Sequence, residues 1–569
     1  MIAHPFVHER FVGSIVRVDG NSADITLPTK LGGSIRSHLG QRIPRGEVGE
    51  FLMVDIGGIG IFARLTEVSL PRRDVVSLTQ VEDSVVPEAP IGRVQLLATV
   101  RLDGIYVRGL VRHPRFGDAV YTASDDVLSC VVSAGSLAAW AGEPIVQLGR
   151  LTAGDSVKVA LPASGIFGRH LAVLGATGAG KSWTLTHLME EVGRLGGRLL
   201  LIDATGEFHT MGDQAGHIAF GSTDEEPQAT QLASLPHYLM SESDRTAFLR
   251  PAGASQLPKM RSAIRSLRLA AALGDSHALI SDGTIPKARL PRAPFEKAAL
   301  EQNSIVEDSS SVFDLRKLAE QLRLECIWET DQRQSDRFGD YNNNELGYCN
   351  SLISRVRDFS ETPEVMSILD AQTRSVFTLI DYWLREGKRP VLRLSLKNMT
   401  FSHSLREIVV NAIGRWLLAE ARAGRFKGRP VVVAVDEAHQ FFGRSVGDDL
   451  APTNLDSFEV IAKEGRKYGL TVCMATQRPG DLPGGVLSQV GALIVHRLAD
   501  KRDRDRVESA SSELDQSAMK LLPALTPGEA LLVGAAFPVP LPVKIARPQH
   551  EPSSQGPNYA TGWSTPSPP

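Results

Sequence analysis

No run in this 569-residue chain approaches the roughly 18 consecutive apolar residues that a bilayer-crossing helix needs, so none is expected. The segment Met1-Ile2-Ala3-His4-Pro5 shows no basic stretch followed by an apolar core, which argues against a secretory leader. Cysteine is scarce. Cys130, Cys326, Cys349 and Cys473 stand far apart, with no C-x-x-C spacing and no neighbouring histidine pair. That excludes a disulfide framework or a zinc knuckle and predicts reduced thiols in a cytoplasmic protein. Charge is almost balanced, at a formal −3, so nucleic acid would have to be met by local basic patches. His4 and His8 are four apart, but Pro5 between them argues against a metal-binding helix. There is no Cys-His cluster, and no acidic nuclease constellation outside the phosphate-handling segments.

Two phosphate-handling signatures are present and complete. The first is Gly175-Ala176-Thr177-Gly178-Ala179-Gly180-Lys181-Ser182, directly after the apolar run Leu171 to Leu174. This pattern wraps backbone N–H groups around phosphate oxygens and needs glycine where the chain turns left-handed or approaches closely. Lys181 is expected to pair with the β- and γ-phosphates of ATP, and the Ser182 hydroxyl to ligate Mg²⁺. Leu185, Leu188, Met189, Val192 and Leu195 then recur at helical spacing, until Gly196-Gly197 ends the helix. Its N-terminus would add a dipole favourable to phosphate. Trp183, next to the magnesium serine, is a candidate for touching the nucleotide base, with packing as the favoured reading.

The second signature is Val431 to Val435 followed by Asp436-Glu437. The run does not alternate, as expected of a central parallel strand covered on both faces. Asp436 is expected to hold magnesium and Glu437 to polarise the attacking water. Asp436-Glu437-Ala438-His439 also spells the DEAH box of a helicase superfamily. The long interval from Lys181 to Asp436, and the lack of a second motor domain, argue against that reading.

Further segments resemble the HerA group of the HerA/FtsK superfamily of hexameric DNA-pumping ATPases. The strand Arg198 to Ile202 ends in Asp203-Ala204-Thr205-Gly206-Glu207-Phe208, similar to that group's D-x-x-G-E-[FY] motif. Arg466-Lys467-Tyr468-Gly469 and Thr476-Gln477-Arg478-Pro479 resemble its RKYG and TQRP blocks, and the likeness runs from about Arg169 to Ile545. The resemblance implies that Gln477 senses the γ-phosphate or orients water. It implies that Arg466 reaches the phosphates from the same subunit and that Arg169 is supplied by a neighbouring subunit. A surface ion pair is the competing reading for both arginines. Asp203 and Glu207 are accessory candidates for placing water or magnesium, with capping as the alternative.

The expected architecture is α/β: a RecA-like P-loop ATPase core with a mainly parallel sheet, an N-terminal small β-barrel and a helical insertion. Short strand-like runs separated by Gly, Asp and Pro place the barrel at about 1–150. Gly58-Ile59-Gly60 mimics a dinucleotide fingerprint, but more strand follows it, so a tight strand turn is expected. The core follows at about 151–235 and 375–548, the insertion at about 236–374 and a disordered tail at about 549–569. Within the insertion, Arg261, Arg265 and Arg268 form a stripe expected to be a solvated helix face, and Asp275 to Ser310 is expected to be poorly ordered.

The resemblance further implies a homo-hexamer with double-stranded DNA in its central channel. A nuclease or other effector would dock on the ring, for DNA end processing of the NurA kind or for antiviral defence. Two alternatives stand beside it. One is an NTPase scaffold ring that activates an effector with little DNA translocation; the other is a soluble conjugation- or packaging-type ATPase.

Overall fold

The computed structural model describes residues 5–28, 37–38, 41–42, 46–70, 89–134, 142–154, 156–370, 373–446, 452–511, 514 and 516–553. Two compact units divide the chain, one of Met1–Leu195 with Cys473–Glu551 and the other of Gly196–Val472 with Pro552–Pro569.

The first unit opens with a barrel. Phe11–Asp19, Ser22–Thr26, Phe51–Asp55, Ile59–Ser69, Ile91–Arg101 and Ala119–Thr122 pair antiparallel, and Ser22–Thr26 closes the ring onto Ile91–Arg101. Val12, Ile15, Leu52, Ile61, Leu65, Val94 and Val120 fill the interior. Leu52 and Val54, like Ile61, Ala63 and Leu65, enter it at every second position, as the pleat requires. Gly57 and Gly58, both at positive φ, make the turn into Ile59–Ser69, so the fingerprint-like segment is a strand turn. The short strand Tyr106–Arg108 adds to the outside of Ile91–Arg101.

In the same unit, His170–Leu174 lies parallel between the Cys473–Thr476 end of one strand and Val490–Val495. All five of its residues are buried, as expected of an interior strand. Beyond Val490–Val495, the strands Glu529–Val533, Leu541–Ile545, Ile145–Leu151 and Lys158–Pro162 continue antiparallel.

In the second unit, Leu199–Asp203 lies parallel between Val391–Ser395 and Val431–Val435. Ala215–Ala219 and Gln231–Ser234 extend the sheet beyond Val391–Ser395. Seven α-helices occupy the stretch between Ser241 and Asp370, from Glu242–Leu249 to Pro363–Leu369.

Two expectations for that helical stretch are corrected. Asp275 to Ser310 is ordered: it carries helices Arg292–Glu301 and Asn303–Glu307. Its Ile285, Phe295, Ala298 and Val306 pack against Leu269 and Ala270, and that burial offsets a polar composition. The arginine stripe departs from a solvated face at Arg268 alone, since Arg261 and Arg265 are exposed as expected. Arg261 pairs with Glu242 and Arg265 with Glu307, while Arg268 is buried and donates to the carbonyls of Val306 and Ser309. His4 and the tail beyond Ser553 lie outside the described residues, as does part of the loop from Phe442 to Asp456.

Candidate nucleotide and magnesium site

The phosphate loop leaves the buried strand His170–Leu174 and enters the helix Lys181–Arg194. Gly180, at φ 117°, is the N-cap residue of that helix and brings no side chain over its first turn, the end whose dipole favours phosphate. Gly175 is required for another reason. A β-carbon there would lie 2.6 Å from Cβ of His496, and one on Gly180 would lie 3.3 Å from the imidazole. The histidine therefore forms a floor on which the loop rests.

His496 is fully buried. Its Nδ1 lies 2.8 Å from the Glu529 carbonyl and its Nε2 2.9 Å from the Thr184 hydroxyl. A neutral ring satisfies both, donating from Nδ1 and accepting at Nε2. Burial, opposed by the Glu529 carbonyl and reinforced by the nearby Lys181 charge, moves this imidazole down to about 4. Sequence reasoning passed over His496. Its signal was a lone histidine ending an apolar strand.

Lys181 is buried and its Nζ donates to the Ala176 carbonyl at 3.3 Å, which folds the ammonium over the loop. Across from it, the Thr177 hydroxyl donates to Gln477 Oε1 at 2.5 Å. Gln477 follows the strand Leu470–Thr476, whose end is parallel to His170–Leu174 with Thr476 opposite Leu174. The loop and the glutamine thus share one edge because their strands end in register. Trp183 is half-buried beside the loop, with the Arg547 guanidinium 5.1 Å from its ring centre.

Arg169 is exposed and precedes His170–Leu174, with its aliphatic stem packed on Gly491. A five-residue strand, about 16 Å long, separates it from its own phosphate loop. Arg466 sits in the turn Gly465–Tyr468 that leads into Leu470–Thr476, the strand that Gln477 follows. The structure does not bring either arginine to the loop-proximal end of its strand.

In the second unit, Asp436 is buried at the end of Val431–Val435. Burial, then the negative charges of Asp203, Glu437 and Glu207, push its carboxyl well above the usual range. The Thr205 hydroxyl reaches it at 3.4 Å. Glu437 adopts a left-handed conformation, φ 47° and ψ 46°, which turns the chain sharply off the strand. Its Oε2 lies 3.2 Å from His439 Nδ1.

Asp203 accepts from the N–H groups of Gly206 and Phe208 and is ion-paired to Arg393 at 2.6 Å, with both side chains at 0 % exposure. Arg393 also pairs with Glu226 at 2.6 Å. Burial pushes Glu226 up, but hydrogen bonds from Arg393 and Ser395 outweigh it and hold the carboxyl below its usual range. Asp203 therefore serves a cap and a buried ion triad, and Glu207 contributes charge beside Asp436. A lone arginine within the apolar strand Val391–Ser395 was the overlooked sign of this triad.

Among the described residues, no three His, Cys, Asp or Glu side chains converge to hold a metal on their own. Asp436 still fits a divalent cation, because a positive charge would offset the burial and the neighbouring negative charges that raise its carboxyl. Magnesium characteristically takes one or two protein oxygens and completes its shell with phosphate and water. No helix among the described residues is long and apolar enough to cross a membrane.

Residues 146–392 match the domain family described as the central domain of helicase HerA, and residues 417–545 match the HerA-like helicase C-terminal domain. The chain is 26% identical over 500 residues to the DNA double-strand break repair helicase HerA of Sulfolobus acidocaldarius, covering 86% of this chain and 84% of the relative. It is 26% identical over 469 residues to the protein of the same name from Pyrococcus furiosus, covering 79% and 77%. A solved bacterial conjugative coupling protein, TrwBdeltaN70, aligns at a TM-score of 0.42 and 16% identity, covering 72% of this chain and 90% of that one.

Proposed function

We propose that this chain, which belongs to the HerA family and is an ATP hydrolase, works as a ring that moves along or unwinds double-stranded DNA. The observation that carries the catalytic half of this reading is the bond from Thr177 to Gln477. It links the phosphate loop to a polar side chain that follows a different strand, where a water facing the γ-phosphate can be positioned.

Roles are assigned residue by residue. The backbone of Gly175 to Gly180 cradles the phosphates, and Lys181 neutralises them. Ser182 and Asp436 hold Mg²⁺, which supplies a positive charge against the phosphate oxygens. Glu437 accepts a proton from the attacking water, and Gln477 orients it. The left-handed backbone at Glu437 aims that carboxylate off the strand end. Asp203 and Glu207 act on Asp436 through charge. Trp183 offers a flat face to the base.

Arg169 and Arg466 both precede parallel strands at whose far ends the loop and Gln477 sit. Their placement supports service to a neighbouring copy's nucleotide. For Arg466 this departs from the same-subunit role that the resemblance implies. A planar cation suits either site, because it spreads over the charge that develops on the transferred phosphoryl group. A ring of six copies around DNA, carrying a docked nuclease or other effector in a cytoplasmic DNA-processing or antiviral system, is the assembly this reading implies.

The test measures ATP turnover with and without duplex DNA, together with displacement of a triplex-forming strand. The reading expects DNA-stimulated hydrolysis and displacement, both lost in Lys181→Ala. Turnover indifferent to DNA, with no displacement, sinks the translocase. Mixing Arg169→Ala with Glu437→Gln copies tests the shared site: activity should return in mixed assemblies, and its failure to return removes the in-trans arginine.

A further inference from the structure

Three neighbouring parallel strands of the second unit are each entered through an arginine. Arg198 precedes Leu199, Arg389 precedes Pro390-Val391 and Arg429 precedes Pro430-Val431. Leu199–Asp203 lies between the other two, so the three residues gather at the edge where these strands begin. Asp203 and Asp436 belong to the opposite edge, where the strands end.

Arg198 is the unusual member, only 1% exposed. Its Nη1 donates to the Arg389 carbonyl at 2.6 Å, an oxygen that also accepts from Trp383 Nε1 at 2.8 Å. Its guanidinium carbon stands 5.3 Å from the Trp383 ring centre. Nε and Nη2 are buried without an acceptor. Among the described residues no carboxylate pairs with Arg198 or Arg429, while burial and the Arg429 charge together push the Arg198 guanidinium down from its usual value.

Gly387, left-handed at φ 69°, supplies the room. A β-carbon there would collide with Arg198 Nη2 and come within 3.5 Å of Arg429 Nη1. Two guanidinium groups thus converge over one bare backbone position with no anion between them. A buried cation facing a second cation is costly unless an anion completes it.

Beside this cluster is a cavity of about 260 Å³, lined by His217, Gln231, Tyr382, Trp383, Lys388 and Arg389. His217 is buried; its Nε2 lies 3.1 Å from the Gly212 carbonyl and its Nδ1 has no partner. A proton on Nε2 satisfies that carbonyl and leaves Nδ1 as a buried acceptor looking for an N–H or O–H. The nearby acids are exposed or already paired: Glu386 is at the rim, Asp213 pairs with the Arg389 guanidinium at 3.4 Å, Asp381 pairs with Arg385 and Arg425, and Glu226 pairs with Arg393.

Paired guanidinium groups suit a phosphate, and aromatic faces beside a bare acceptor suit a nitrogen heterocycle. We propose that this edge of the second unit is a nucleoside-phosphate site, with Arg198 and Arg429 holding the phosphate and Trp383 and His217 holding the base. The site shares no residue with the phosphate loop. Its ligand is either a free nucleotide or the phosphorylated terminal nucleotide of a DNA strand.

The test uses the full chain carrying Lys181→Ala, to silence the phosphate loop, and two probes. One is fluorescently labelled AMP; the other is a short oligonucleotide with or without a 5′-phosphate. One residual site per chain is expected, weakened about tenfold by Arg429→Gln and by Trp383→Leu. Arg429 is exposed, so its variant should melt like the parent and remain informative even if Arg198→Met does not fold. Preference for AMP identifies a free nucleotide, and dependence on the 5′-phosphate identifies a strand end; either supports the site. Binding of neither probe, or binding that Arg429→Gln leaves unchanged, overturns it.

Discussion

The Thr177 hydroxyl and Gln477 Oε1 lie 2.5 Å apart although 300 positions separate them in the chain. Gln477→Ala should lower kcat by about a hundredfold while shifting KM for ATP only about threefold, as expected for a group that acts mainly in the transition state. Thr177→Val should lose less, about tenfold. The double variant should fall short of the product of the two losses, because both remove one interaction. Steady-state kinetics of the four proteins decide it; strictly multiplicative losses would separate the two roles.

Asp436 predicts a conflict between stability and activity. Its folded carboxyl titrates above its unfolded value, so the folded state keeps the proton longer. Stability therefore declines as pH rises from the ordinary carboxylate range through the raised folded value. Asp436→Asn should remove that decline and raise the Tm of the nucleotide-free protein at pH 8 by a few degrees, on the order of 1 kcal/mol. It should also abolish hydrolysis. A melting series from pH 5 to 8 checks both the sign and the window.

His496 predicts the opposite slope. Its folded value of about 4 lies below the ordinary 6.5, so the unfolded chain binds the proton first. Stability is then complete above about pH 6.5 and lost as pH falls toward 4, by on the order of 3 kcal/mol. His496→Gln should flatten this acid limb and weaken nucleotide binding, since the loop would lose its floor. An unchanged acid limb would show that the histidine is not the titrating group.

Arg393 is held between Asp203 and Glu226 with no exposure. Arg393→Met would leave two buried carboxylates facing each other, and should cost about 3–5 kcal/mol. Adding Glu226→Gln should recover part of that loss by removing one of the charges. Chemical denaturation of the three proteins gives the comparison; a single variant as stable as the parent would remove the triad from the account of the fold.

Much of this architecture was legible in the sequence because its elements are locally coded. Val431 to Val435 is apolar and β-branched, and it is the strand predicted, to the residue. Leu171 to Leu174 was recognised one residue short of the observed start at His170. The glycines of the phosphate loop and the apolar spacing after Ser182 are likewise local signals. Contacts that depend on the order of parallel strands were not legible. Arg393 meets Glu226 across 167 positions, and no local period encodes such a pairing. Arg198, Arg389 and Arg429 become one cluster only once their strands are laid side by side. The ordering of Asp275 to Ser310 was missed for a related reason. Phe295 and Val306 bury themselves against Leu269 and Ala270, a remote helix face that composition does not reveal.

The closed barrel carries a consequence for how copies can associate. Among the described residues, each of its six strands has hydrogen-bonding neighbours on both sides, and Tyr106–Arg108 adds an outer rim. Where a strand is paired on both sides, another polypeptide cannot extend its ladder. Recognition through the cylinder must therefore be written in side chains and loops, where substitutions can retune partner choice without disturbing the backbone beneath.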